Sequence, residues 1–223
     1  MTLAAVREVQ ELARRMRRPD PGRHLAFMTV PALIDHYGAG AAALAVDAYD
    51  EKRAAAGVPG RFSARPFVTE LDDKMRRKIA WATEPLYQQD RFQEALEREL
   101  ASRLSTVVSA GVAGAGRNTT TGNLKRDRAT VGWRRVTGGH GCPFCRMLAA
   151  RGAVYRKDIT ARFAAHDHCD CTAEAVFRGE VIEEADVFQY SMAEKRSKSP
   201  EERRKLTEYL NRNWSDENAD LYD

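Results

Sequence analysis

Cysteine is scarce in this chain: 223 residues contain four. Aromatic residues are also few, at 8%. No apolar run approaches the roughly 18 residues that a membrane-spanning helix requires, so no transmembrane segment and no membrane partner are expected. Residues 1–7 lack the apolar core of a secretory signal. A reducing compartment is therefore expected, and there clustered cysteines are more often metal ligands than disulfides. There is no Gly-x4-Gly-Lys-Ser/Thr, which excludes a P-loop, and no Gly-x-Ser-x-Gly of the hydrolase type. His24 and His36 stand alone in the sequence.

All four cysteines fall in two clusters, Cys142-Pro-Phe-Cys145 and His166-Asp-His-Cys169-Asp-Cys171, with 24 residues from Cys145 to Cys169. A Cys-x2-Cys turn aims two sulfurs at one point. A Cys-x-Cys or His-x2-Cys elsewhere completes a tetrahedron, the pattern of a structural zinc site. Five donors compete for four places: Cys142, Cys145, Cys169 and Cys171 make one full set, and His166 could replace either of the last two. A site filled by protein donors leaves no open position for water, which favours structure over zinc catalysis. The competing readings are disulfides, a redox pair or plain buried thiols. Cys169 and Cys171 are too close in sequence to pair comfortably with each other, and no thioredoxin-like context surrounds the Cys-x2-Cys.

At 43% hydrophobic and 30% charged residues, the chain has enough apolar material for one medium domain and a small one. Residues 4–18 predict a helix with Val6, Val9, Leu12, Ala13 and Met16 along one side, stopped by Pro19-Asp-Pro21-Gly22. Residues 31–56 predict a second, opened by Pro31 and carrying Leu33, Ile34, Tyr37, Ala41, Leu44, Ala45, Ala48 and Tyr49. Further helices are expected from about 68 to 84 and from Asp90, as N-cap, to about 112. The last of these bears Phe92, Leu96, Leu100, Leu104, Val107, Val108 and Val112.

Residues 113–122, small and polar, predict a linker or glycine-rich turn. Strands are expected over 130–137, 153–156 and 172–177, with a helical turn or two over 145–151. A unit this small is short of core, and a metal would contribute the missing folding energy. Beyond residue 178 the pattern fades into a charged tail with one short amphipathic helix carrying Leu206, Tyr209, Leu210 and Trp214. Tyr209 and Trp214 there could anchor a partner or fold back onto the body.

Charge is unevenly spread. Residues 1–115 carry a net +2, residues 116–177 carry +6 and residues 178–223 carry −4. The basic middle suits phosphates or an acidic protein surface, with a plainly solvated face as the alternative. Its candidate nucleic-acid contacts are Lys125, Arg126, Arg128, Arg134 and Arg135.

At the knuckles the sequence resembles a known family. Cys142-Pro-Phe-Cys145, then Gly152-Ala-Val-Tyr155, then His166-Asp-His-Cys169-Asp-Cys171 and Ala175-Val-Phe177 look like the MuF-like minor head proteins of tailed bacteriophages, in the form found in phages of actinobacteria. In that family a Cys-x2-Cys, a Gly-x-x-Tyr/Phe and a His-x-x-Cys-x-Cys recur in this order. The match is strong over 130–177. The helical region before it agrees in length and character, with Tyr49, Arg53 and Trp81 in family-like places.

The resemblance implies a minor capsid, or head-morphogenesis, protein present at few copies. Its expected partners are the portal protein, the major capsid protein and, in some members, packaged DNA. Its expected location is the virion head, and the host cytoplasm during assembly.

The fold expected is mainly α: an α-helical assembly domain over 1–115, a zinc-clasped α+β domain over 116–178 and a charged tail over 179–223. The expected role is structural and not enzymatic. Three alternatives stand beside it. A capsid maturation protease would need a nucleophile, and Ser102, Ser105 and Ser109 lie on an apparent helix. A nuclease would need an open metal site, for which Asp167, His168 and Asp170 are the candidates. A DNA-binding zinc module would need a recognition helix, and 142–151 is short for one.

Overall fold

The structure, a computed structural model, describes residues 1–67, 72–88, 93–138, 141–153, 155, 156, 163, 169, 171–180 and 199–214. The chain divides into two compact units. One comprises Met1–Lys52 and Arg61–Asn123, the other Arg53–Gly60 and Leu124–Asp223. The fold is mainly helical, a helical bundle followed by a small α+β unit.

The first unit is built from α1 (Thr2–Arg15), α2 (Pro19–Ala55), α3 (Asp73–Thr83), a 3-10 turn (Glu84–Tyr87) and α4 (Gln93–Arg126). The apolar stripes seen in the sequence meet in one core. Ala5, Val9, Leu12 and Ala13 of α1 and Ala26, Val30, Leu33 and Ile34 of α2 pack with Ile79, Ala82, Leu86, Leu100, Leu104, Val107, Val108 and Val112. Burial of each valine or leucine contributes on the order of 1.5–3 kcal/mol. Asp72 caps α3 by accepting from the Met75 amide at 2.8 Å. Arg23 of α2 donates to Thr83 and to the Ala80 carbonyl, tying α3 to the longest helix.

Two sequence expectations change here. Pro31 does not open a helix but lies inside α2, which starts at Pro19, where a missing N–H costs nothing. An interior proline costs a helix about 3 kcal/mol. Here buried Ala26, Val30, Leu33 and Ile34 on either side of it hold the helix to the core. Residues 113–122 are helix as well, continuing α4 to Arg126.

Their small side chains are packing features rather than breakers. A Cβ on Gly111 would sit 2.6 Å from Ile34 Cδ1, and one on Gly116 would meet the Ala41 carbonyl at 3.3 Å. Gly38 faces Ala115 in the same way, at 3.2 Å. The polar residues of this stretch are used too. Thr119 accepts from the Phe67 amide at 3.1 Å, and Asn123 both accepts from the Arg65 amide and donates to the Arg65 carbonyl. Extended residues 61–67 thus lie along the helix as if added to it. Asp90 and Phe92 lie outside the described residues.

In the second unit β1 (Thr130–Val136) is the middle of a three-stranded antiparallel sheet, flanked by β2 (Tyr155–Arg156) and β3 (Thr172–Phe177). The short helix α5 (Pro143–Ala149) packs on β1. A terminal helix, α6 (Pro200–Trp214), places Leu210 and Trp214 against Met147 and Leu148 of α5. Of the two candidate anchors, Trp214 therefore folds back onto its own unit, while Tyr209 is exposed. Residues 181–198 and 215–223 of the expected tail lie outside the described residues.

Among the described residues of this unit lies a buried ion pair that residue spacing did not suggest. Arg53 Nε donates to Asp127 at 3.0 Å, and both side chains are almost fully enclosed. The remaining arms of Arg53 reach the carbonyls of Val58, Pro59 and Gly60. That loop begins with Gly57 at φ 62°, whose amide bonds Ala54 while the Val58 amide bonds Arg53, the paired closure of a left-handed helix end.

Two outcomes follow for stability. Gly111→Val should lower it by about 1–3 kcal/mol despite removing a helical glycine; urea denaturation followed by circular dichroism checks this. Asp127→Ala, which strands a buried guanidinium, should cost about 3–5 kcal/mol. The double variant Arg53→Met/Asp127→Leu should cost less than that single change.

Candidate metal centre

The first knuckle is built by the start of α5. Cys142 is the N-cap residue in an extended conformation, with φ −66° and ψ 155°, and Pro143 fills the first helical position. The Cys142 carbonyl accepts from the Arg146 amide at 3.0 Å. One helical turn then brings Cys145 round to the same side as Cys142. Gly141 makes the approach possible, because a Cβ there would lie 2.7 Å from Thr137 Cβ.

The second knuckle precedes β3. Cys171 immediately precedes the strand and shares a face with Ala173 and Ala175, while Cys169 lies two residues earlier. Because β3 pairs with β1 and α5 packs on β1, the two knuckles meet.

The sulfurs of Cys142, Cys145 and Cys169 all lie within 4.8 Å of one another. Cys145 Sγ is 3.3 Å from Cys169 Sγ and 3.5 Å from Cys171 Sγ. Disulfides have sulfurs about 2.05 Å apart, and none of the four cysteines forms one. A tetrahedral ion with metal–sulfur bonds of about 2.3 Å holds its sulfurs about 3.8 Å apart. The Cys145 spacings fall a few tenths of an ångström inside that edge, and Cys142, Cys145 and Cys169 are close enough together to share a metal ion, with Cys171 beside Cys145. Cys145, Cys169 and Cys171 are buried and Cys142 is half-buried, with Phe163 packed against them.

Without an ion, the surroundings of the thiols favour the protonated form. Hydrogen bonding with the Cys142 thiol, then with Cys171, followed by burial, pushes the Cys145 thiol well above the ordinary cysteine range. Burial raises that of Cys169. A metal must therefore displace protons as it enters, so its affinity falls as pH falls.

Among the other candidates, His166 lies outside the described residues, as do Asp167, His168 and Asp170, on which a nuclease reading rests. Ser102, Ser105 and Ser109 lie along α4. The five basic residues do not share one environment. Lys125, Arg126 and Arg128 are exposed. Arg134 pairs across the sheet with Glu174, Nε to Oε1 at 2.7 Å. Arg135 is buried, with Nη1 2.9 Å from Cys171 Sγ. The one signal for Arg135 in the sequence was its parity with Trp133 on a strand; its register against Cys171 was not readable. Of the resemblance's three earlier positions, Tyr49 is buried, Arg53 forms the enclosed ion pair and Trp81 is half exposed beneath Arg103.

The model of one protein family, described as VG15 protein, matches residues 1–195. The chain belongs to the VG15 family. This is a phage family, so the chain is a phage protein. The matched span takes in the helical unit, both cysteine knuckles and the sheet of this VG15 protein. No curated protein and no solved structure matches it. Among the described residues, no helix is long and apolar enough to cross a membrane.

Cys145→Ser should abolish metal retention and melt the 130–177 region, while most of the helical signal survives. Metal content by elemental analysis, with circular dichroism in parallel, checks this. A serine variant that keeps a full complement of metal and full stability would remove Cys145 from the ligand set.

Proposed function

We propose that this VG15 protein is a structural minor capsid protein of the MuF-like kind, built into a tailed-phage head at few copies. On this reading it assembles beside the portal and major capsid proteins in the host cytoplasm and stays in the virion. The observation that carries the proposal is the phage family match, which runs from the first helix through the cysteine centre.

The centre itself argues for a structural role. Three of its four sulfurs are buried, and a cage filled by protein donors offers water no coordination site. Zinc is the ion best suited to four clustered thiolates in a tetrahedral arrangement. When bound, it would cross-link the start of α5 to the approach to β3 and so close the second unit around its small sheet. The cysteines hold, and the helical unit provides surface for assembly. Lys125, Arg126 and Arg128, all exposed, lie in the basic stretch that would suit the phosphates of packaged DNA.

Mass spectrometry of purified virions should find the intact chain at a small fraction of the major capsid protein's copies. Its absence from virions would make it an assembly factor instead. Recovery only as processed fragments would favour a self-cleaving protease.

A further inference from the structure

We propose that Arg135 is the charge partner of the cysteine centre, a positioning residue that stabilises the metal-bound thiolates and orients Cys171. The inference rests on the reading of the cysteines as a metal site and goes beyond it by assigning a residue that carries no ligand atom.

The geometry starts with strand parity. Trp133 and Arg135 are two apart on β1 and so share a face. Arg135 pairs with Ala173 in the register, and Cys171 is two residues before Ala173, on the same side of that chain. The guanidinium therefore lies over the end of β3. Its Nη1 is 2.9 Å from Cys171 Sγ and 3.9 Å from Cys145 Sγ. Its Cζ stands 4.3 Å from the centroid of the Phe163 ring, which itself packs against the cysteines. Only 5% of Arg135 is exposed. Arg134, one residue earlier, faces the other way, is half-buried and pairs with Glu174. The same residue type thus has two environments on adjacent positions of one strand.

Charge explains the placement. A divalent ion with four thiolates sums to two negative charges, and burying net charge is costly unless it is paired and hydrogen-bonded. Arg135 brings one positive charge to the sulfurs and a donor aimed at Cys171. An N–H···S bond also fixes the direction of that sulfur, which lies 3.5 Å from Cys145 Sγ. Outer partners of this kind orient metal ligands. Lysine would keep the charge but not the planar group that can lie on Phe163 while bonding sulfur.

The test is a zinc competition against a chromophoric chelator, run on the full-length protein. Arg135→Met should weaken zinc binding by about 10- to 100-fold, Arg135→Lys should fall between that variant and the native protein, and Arg134→Met should leave affinity unchanged. Cobalt substitution supplies a second readout. The sulfur-to-cobalt charge-transfer band should shift in both Arg135 variants and not in Arg134→Met, a change that loss of packing alone would not produce.

Native affinity with an unshifted band in the Arg135 variants overturns the proposal and leaves the metal site standing. Failure of the native protein to hold zinc or cobalt removes the metal reading and this inference together. If Arg135→Met does not fold, Arg135→Lys decides, and a band identical to the native one overturns the proposal.

Discussion

A sheet of strands seven, two and six residues long cannot bury enough surface to hold itself together in water. The second unit is built around that constraint. Among its described residues the largest fully enclosed side chains are Phe177 and Met147, and α5 with α6 and the cysteines with Phe163 form two distinct clusters. The sulfurs of Cys142, Cys145 and Cys169 meet where the start of α5 comes up against the approach to β3, with Cys171 beside Cys145. The stacked rings of Trp133 and Tyr155, with centroids 4.1 Å apart, extend the apolar floor beside the cysteine cluster. In domains of this size a bound ion is folding energy as much as chemistry.

The helical unit solves a different problem with different means. It has a continuous core drawn from four helices and needs no cross-link. What it needs is proximity, and small residues provide it: Gly38, Gly111, Ala115 and Gly116 let α2 and α4 approach until their backbones nearly touch. The 61–67 segment runs beside these helices, and its amides at Ala64, Arg65 and Phe67 are taken up by their side chains. Thr119, Asn123 and Asp50 do this. Residues that look like linker composition are helix because their polar groups have partners a long way off in sequence.

The same logic explains what was and was not legible. The stripe of Leu100, Leu104, Val107, Val108 and Val112 was readable because helix periodicity is local, and all five are fully buried. The strands at 130 and 172 were readable from alternation and β-branched content. The Cys-x2-Cys and Cys-x-Cys elements were readable because their spacing encodes a turn. The end of α4 was misread because glycine and threonine weaken a helix taken alone, while contacts with α2 and with residues 61–67 outweigh that weakness. Arg53 with Asp127, 74 residues apart, carries no local mark at all.

The sequence by itself determined the helical first half, the small mixed second half and the two cysteine knuckles that come together. Each of these rests on residue type and near-neighbour spacing, which the chain carries wherever it folds. Tertiary structure decided which residues meet across long separations. It turned a glycine-rich stretch into a helix face, set Trp214 against α5, sent Arg134 to Glu174 and sent Arg135 to the sulfurs. Those outcomes depend on strand register and helix approach, and both are properties of packing between distant segments, which no local pattern encodes.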